Sequence, residues 1–241
     1  MTAYLLVLSV GFFAGVVSGI IGTGASIVLL PLLVLQFGPQ QAVPIMAVAS
    51  VMGNVGKMTS WWREIDWRAF LAYSVPAVPA AALGARTLLA LPAATVDIAL
   101  GVFFLLMIPV RRWLTARRYT LRAWQMAIVG GAIGFLTGVV ASTGPLSVPA
   151  FAAYGLVKGA FIATEAAGSL AIFVSKVITF RSFGALPWDS IAKGLIVGSS
   201  LMVGSYAAKF VVGRMSADMF RHVLDVVLLV SGVAMIWAGL R

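Results

Sequence analysis

Gly15-Val16-Val17-Ser18-Gly19-Ile20-Ile21-Gly22-Thr23-Gly24 lies inside the first long apolar segment of the chain and interrupts it. The pattern returns as Gly134-Phe135-Leu136-Thr137-Gly138-Val139-Val140-Ala141-Ser142-Thr143-Gly144-Pro145. Pro31 follows the first copy and Pro149 the second. Relative to alanine, glycine lowers helix stability by about 1 kcal/mol and proline by about 3. A break of this kind frees backbone N–H and C=O groups. A bilayer tolerates such groups only where they are buried in protein or line a cavity. Matched interruptions in two halves point to the binding site of a transporter. Gly15/Gly19 and Gly134/Gly138 also have the small-xxx-small spacing of close helix packing. Packing does not account for Gly-Thr-Gly or Ser-Thr-Gly-Pro, which are read as a site.

Composition sets the class. Of 241 residues, 61% are hydrophobic and 10% charged, and the mean hydropathy is +1.05. Soluble domains are about 45–50% apolar. Several apolar runs reach the roughly 20 residues that cross a bilayer. The chain therefore reads as an all-α integral membrane protein, with no polar stretch long enough to fold a separate soluble domain. The net charge of +10 does not indicate a nucleic-acid partner. The basic residues sit at segment ends and in loops, as the positive-inside bias predicts. Cysteine is absent, which excludes disulfides, thiol catalysis and thiolate metal sites. The N-terminus lacks a basic n-region and is read as a retained first segment.

Eight segments are expected, in two tandem four-segment repeats, residues 1–116 and 117–241. They cover about 4–36, 42–62, 69–90 and 93–110, then 124–153, 159–183, 190–212 and 219–240. The first segment of each repeat is broken or re-entrant, at Gly22–Gly24 and at Ala141–Pro145. A basic loop carrying Arg111, Arg112, Arg117, Arg118 and Arg122 joins the halves on the cytoplasmic side. Gly15/Gly134, Gly19/Gly138, Ser50/Ser169 and Lys57/Lys176 pair at one offset of 119. Gly24/Gly144 and Gly84/Gly204 pair at 120, Trp67/Trp188 at 121 and Pro31/Pro149 at 118. The Lys and Trp pairs weigh most, because those residues are rarer here than glycine.

The relative orientation of the halves stays open. If both broken segments cross the membrane, the halves are parallel. Lys57, Arg63, Arg68, the five loop arginines, Lys176, Arg181, Lys193 and Arg241 then lie inside, against Arg86, Lys158, Lys209, Arg214 and Arg221 outside. If both are re-entrant hairpins, the halves are inverted. Lys176, Arg181, Lys193 and Arg241 then exchange sides with Lys158, Lys209, Arg214 and Arg221. Either way the balance is 12 against 5. The positive-inside rule cannot separate the two.

Charges inside spans are costly, about 2.5–3.5 kcal/mol on insertion scales, and mark function. Glu165 is the strongest case; its alternative is an interfacial position near Lys158. Glu165, Ser169 and Lys176 form one polar stripe on segment six. Ser50, Asn54 and Lys57 form the matching stripe on segment two, where Lys57 would otherwise snorkel to the interface. Positive charge beside broken-helix N–H groups suits an anion. The expected substrate-binding set is Gly22, Thr23, Gly24, Ser26, Ser50, Asn54, Lys57, Ser142, Thr143, Gly144, Ser169 and Lys176, with Glu165 coupling to a proton. Asp225 pairs locally with Arg221, His222 caps or pairs locally, Arg86 is interfacial, and Asp97 lies near or within a span. No nucleophile–base pair, metal-ligand spacing or phosphate-binding loop is found. No catalytic residue, metal or cofactor is expected.

The pattern Gly-x-x-x-Gly-x-x-Gly-x-Gly with Pro31 and Gly38, and its second occurrence with Pro149 and Gly155, resembles the TauE/SafE family of sulfite-exporter-type permeases. The Ile65-Asp66-Trp67 and Leu186-Pro187-Trp188 turns resemble that family's segment ends, and the likeness covers essentially the whole chain. Gly-Thr-Gly-Ala-Ser stands where the family often shows a longer glycine run, and Ser-Thr-Gly-Pro occupies the second copy. The resemblance implies about eight spans in two repeats. It also implies transport of sulfite, sulfonates or other small organic anions across the cytoplasmic membrane.

Each charge crossing 100 mV is worth about 2.3 kcal/mol. An anion leaving a negative-inside cell gains that energy, so export needs no coupling and uptake needs cations. The expected partners are a small anionic solute and membrane lipid; homo-oligomerisation is open. Two other classes are weighed against the transporter. One is an intramembrane enzyme acting on lipid or polyprenyl phosphates, which wants more converging acidic, His, Ser or Arg groups than the chain offers. The other is a non-transporting partner subunit.

Overall fold

The computed structural model describes residues 2–21, 25–116, 120–140 and 143–211, with 229, 233, 236 and 237 beyond them. Among these residues the regular structure is helical. The helices are α1 (Thr2–Ile21), α2 (Ala25–Phe37), α3 (Pro39–Ser60), α4 (Trp67–Ala90), α5 (Ala93–Ala116), α6 (Ala123–Val139), α7 (Gly144–Ala153), α8 (Lys158–Ser182) and α9 (Trp188–Val211). A short 3-10 turn, Trp62–Glu64, precedes α4. Gly22–Gly24, Ala141, Ser142, Arg117, Arg118, Arg221, His222, Asp225 and most of the expected eighth segment lie outside the described residues.

The boundaries follow local chemistry. Asp66 caps α4, its carboxylate accepting from the Ala69 N–H at 2.9 Å, and its own N–H donates to Thr164 Oγ1 at 2.9 Å. Gly38 joins α2 to α3 with φ 74 and ψ 161, a region that is essentially glycine-only. Gly155, at φ 101, does the same between α7 and α8. One expected boundary moves. α5 runs on to Ala116, so Arg111 and Arg112 are helical and the linking loop is shorter than the arginine run suggests. Pro31 and Pro149 lie inside α2 and α7 and break neither.

Polarity is arranged inside out. Phe13, Leu35, Val75, Leu83, Ile128, Ile178 and Val203 are exposed, whereas Asn54, Lys57, Glu165 and Lys176 are buried. Water would favour the reverse distribution; a hydrocarbon surround accounts for this one. Among the described residues, Gly159–Ser182 and Trp188–Ala208 are long and apolar enough to cross a bilayer. Trp62, Trp67, Trp113, Trp124 and Trp188 are exposed, as interfacial tryptophans are.

The closest contacts fix the direction of every described helix except α5. Gly11, Gly15 and Gly19 of α1 abut Ser200, Leu201 and Ser205 of α9 in ascending order, so the two run the same way. Gly194 and Gly198 of α9 abut Val48 and Met52 of α3, again in ascending order. α2 runs against α3, since Ser26 meets Ser50 and both are equally far from Gly38. α1 and α3 are thus codirectional, and α1–α2 folds back as a hairpin. In the same way Gly130, Gly134 and Gly138 of α6 abut Tyr73, Ala77 and Ala81 of α4. Gly168 against Tyr73, and Ser175 Oγ donating to Val78 O at 2.9 Å, align α8 with α4. Ser147 of α7 reaches back to Glu165 across the Gly155 turn, so α6–α7 is a hairpin as well. The central helices α3 and α8 are antiparallel: Lys57 faces Glu165, and Gly159 lies against Trp61 and Glu64.

These directions place Arg86 beside Phe183, the guanidinium 5.6 Å from the ring centroid, at one end of the bundle. Gly159 and Trp61 share the other end. The chain has no cysteine, so single cysteines report membrane sides without background. Arg86→Cys and Phe183→Cys are expected to react with an impermeant thiol reagent from one side. Trp62→Cys and Val157→Cys are expected to react only from the opposite side. Labelling of Arg86→Cys and Phe183→Cys from opposite sides would refute the hairpin arrangement.

Candidate functional site

α6 ends at Val139, and Val140 leaves the helix in extended conformation. Thr137 Oγ1 donates to Ile133 O at 2.6 Å and is in contact with Thr143 Oγ1, bringing the two rims of the break together. The last carbonyls of any helix lack an internal partner. Here Lys176, fully buried on α8, donates to Thr137 O at 2.5 Å and Val140 O at 3.1 Å. A cation at a helix C-terminus also complements the macrodipole. Phe173 and Phe180 flank the ammonium, each ring centroid 5.7 Å away. Lys176 is not in the wall of the cavity described below. Its ammonium satisfies the carbonyls at the end of the broken helix.

A cavity of about 40 Å³ lies between the two hairpins and the α3–α8 pair. It has room for about three waters or one compact ion. Ser26, Ser50, Asn54, Lys57, Thr143, Gly144, Glu165 and Ser169 line it, and sequence reasoning had singled out all of these. Gly22, Thr23, Gly24 and Ser142 lie outside the described residues. Ser18, Tyr73, Thr137, Ser147 and Ser205 also line the cavity and were not anticipated. Ser147 was within reach: it follows Gly144 much as Ser26 follows Gly24. Tyr73 carried no local signal, because it stands in an apolar stretch of α4 and reaches the cavity only through packing on Phe151, with ring centroids 4.8 Å apart.

Glu165 is the centre of the site. Its Oε1 accepts from Ser147 Oγ at 3.0 Å and from Ser169 Oγ at 2.8 Å. Its Oε2 lies 3.6 Å from Lys57 Nζ and accepts no hydrogen bond. The pair joins the last turn of α3 to α8, and both side chains are at most 5% exposed. Removing one partner of a buried pair costs about 3–5 kcal/mol, because the other charge is left uncompensated.

The rim of α7 offers fewer free amides than a helix start usually does. Pro145 has no N–H, and the Leu146 and Ser147 N–H groups go to Thr143 O at 2.8 and 3.0 Å. Among the described residues, hydroxyls and the Lys57 ammonium also supply donors to the wall. Among the described residues no group of three or more His, Cys, Asp or Glu is placed to hold a metal.

Replacing Lys176 with methionine keeps length and apolarity but strands Thr137 O and Val140 O. Each buried carbonyl left unsatisfied costs about 1–3 kcal/mol. Lys176→Met is expected to lower the melting temperature of the purified protein by about 5 °C or more, with Lys176→Arg recovering part of the loss. An unchanged melting temperature in Lys176→Met would contradict the capping role.

A profile described as Sulfite exporter TauE/SafE matches residues 7–235. Across 95% of this chain, and 98% of its own length, the "Probable membrane transporter protein YjnA" of Bacillus subtilis (strain 168) is 24% identical. No solved structure matches the chain. With the match running over nearly all of its length, the chain belongs to the TauE/SafE sulfite-exporter family of membrane transporters.

Proposed function

We propose that this protein is a secondary transporter that exports small anions, such as sulfite, organosulfonates or related organic acids, across the cell membrane. The observation that carries the reading is the cavity between the hairpins, with Lys57 and several hydroxyls in its wall and Glu165 at its centre. Its size of about 40 Å³ favours compact anions. The family profile carries the words sulfite exporter, and the Bacillus relative is named a membrane transporter.

In this reading the two repeats, 1–116 and 117–241, are inverted, each opening on a re-entrant hairpin. The reciprocal packing supports it: α1 lies along α9 as α6 lies along α4, and α3 crosses α8 antiparallel. An inverted pair places one binding site at mid-depth between the repeats, where rocking of one against the other exposes it to either side. The membrane potential drives the anion outward, worth about 2.3 kcal/mol per charge at 100 mV.

Glu165 regulates the charge of the cavity. While it is ionised it holds Lys57, and the pair is neutral. A proton on Oε2 cancels that attraction and changes the net charge that the cavity wall presents to a solute anion. Lys57 from α3, Tyr73 from α4 and Ser147 from α7 face the carboxylate and complete its surroundings.

The test is flux in proteoliposomes across a panel of sulfite, sulfonates and small carboxylates. The wild-type protein is expected to carry at least one of them with a pH-dependent rate. Glu165→Gln is expected to bind the anion without pH dependence and to slow flux at least about tenfold. No flux for any anion of the panel would remove the proposed function. Unchanged flux and pH dependence in Glu165→Gln would remove the role of the carboxylate.

A further inference from the structure

Two buried acceptors of the cavity wall, Asn54 Oδ1 and Glu165 Oε2, accept no hydrogen bond. Asn54 is 5% exposed and lines the cavity. Its Nδ2 donates to Ser50 O at 2.9 Å. That bond fixes the orientation of the amide, because turning it over would set two acceptor oxygens against each other. The Oδ1 is consequently buried, and it accepts no hydrogen bond. The other unpartnered acceptor of the wall, Glu165 Oε2, faces Lys57 and takes the proton in the cycle proposed above.

We infer that Asn54 is a specificity-determining residue, which selects small anions carrying a hydrogen-bond donor of their own, an acidic O–H or an adjacent hydroxyl. Anions of equal charge and size without a donor are discriminated against. The inference rests on the anion-transport reading of the same cavity. Water can meet Oδ1 while the cavity holds no solute. A solute that displaces this water must reproduce its hydrogen bond or lose affinity. A fully deprotonated oxyanion offers Oδ1 only further lone pairs, whereas a solute O–H donates to it and leaves the anionic oxygens to Lys57 and the serine hydroxyls. A bound metal cation would also satisfy Oδ1. The Lys57 ammonium, 3.6 Å from Glu165 Oε2, already places a positive charge in the cavity and opposes a second one.

Calorimetric titration of the purified full-length protein with matched probes tests this. Hydroxymethanesulfonate against ethanesulfonate, and glycolate against propionate, differ by a hydroxyl in place of a methyl at equal charge. The hydroxylated member of each pair is expected to bind the wild-type protein at least about tenfold more tightly. In Asn54→Ala the ratio is expected to fall to about one; Asn54→Ser serves the same comparison if the alanine variant does not fold. Equal affinities within both pairs for the wild-type protein would overturn the inference and leave anion binding intact. So would a ratio that survives both substitutions. Failure of all four probes and of hydrogensulfite to bind would overturn the anion reading itself, and this inference with it. Stabilisation by sodium chloride over choline chloride that disappears in Asn54→Ala would assign Oδ1 to a metal ion and also refute it.

Discussion

A helix that ends at membrane depth leaves carbonyls with nothing to accept from, and the protein must supply a donor. Lys176 does so for α6, giving its ammonium to Thr137 O and Val140 O. The charge is itself costly to bury, so the two problems resolve each other: the helix end needs a cation, and the cation needs acceptors. Two aromatic rings complete the ammonium's surroundings. With the break made stable, α7 can turn back, and the reversal puts Ser147 beside Glu165.

The rest of the architecture follows from that reversal. Residues of α2, α7 and the α3–α8 pair then come together around a polar cavity. Close approach of the supporting helices depends on glycine. A Cβ on Gly134 would collide with the Ala77 carbonyl and stand 2.7 Å from its Cα, and Gly15 is similarly placed against Leu201. Contact at backbone distance is how helices gain packing energy where lipid offers no hydrophobic drive. The small-residue spacing and the polar break therefore serve separate ends within one motif.

Much of the fold was legible because the membrane imposes it. For the described helices, apart from the end of α5, segment limits read from apolar runs fall within a few residues, and the break after Val139 stands where glycine and proline cluster. The polar stripes were legible from helical periodicity, which places Ser50, Asn54 and Lys57 on one face. Periodicity does not say what a long side chain reaches. Lys57 and Lys176 occupy matching positions, yet Lys57 lies in the cavity wall and Lys176 lies against carbonyls. Orientation was hidden for a different reason: moving four basic residues out and four in leaves the charge balance unchanged. Contacts between distant segments, Arg86 with Phe183 and Gly159 with Trp61, set helix directions, which a count of charges does not register. Tyr73 and Ser205 reach the cavity through the same kind of long-range packing, and no local pattern announces them.

The central claim is that a compact anion rests between the hairpins, beside Lys57 and the serines that hold Glu165. A structure determined with selenite, an oxyanion whose selenium is located by anomalous scattering, tests this most directly. The expected result is one selenium peak inside the cavity, within hydrogen-bonding reach of Ser147 or Ser169 and near the Lys57 ammonium. A cavity without selenium in crystals that hold it elsewhere on the protein would contradict the account.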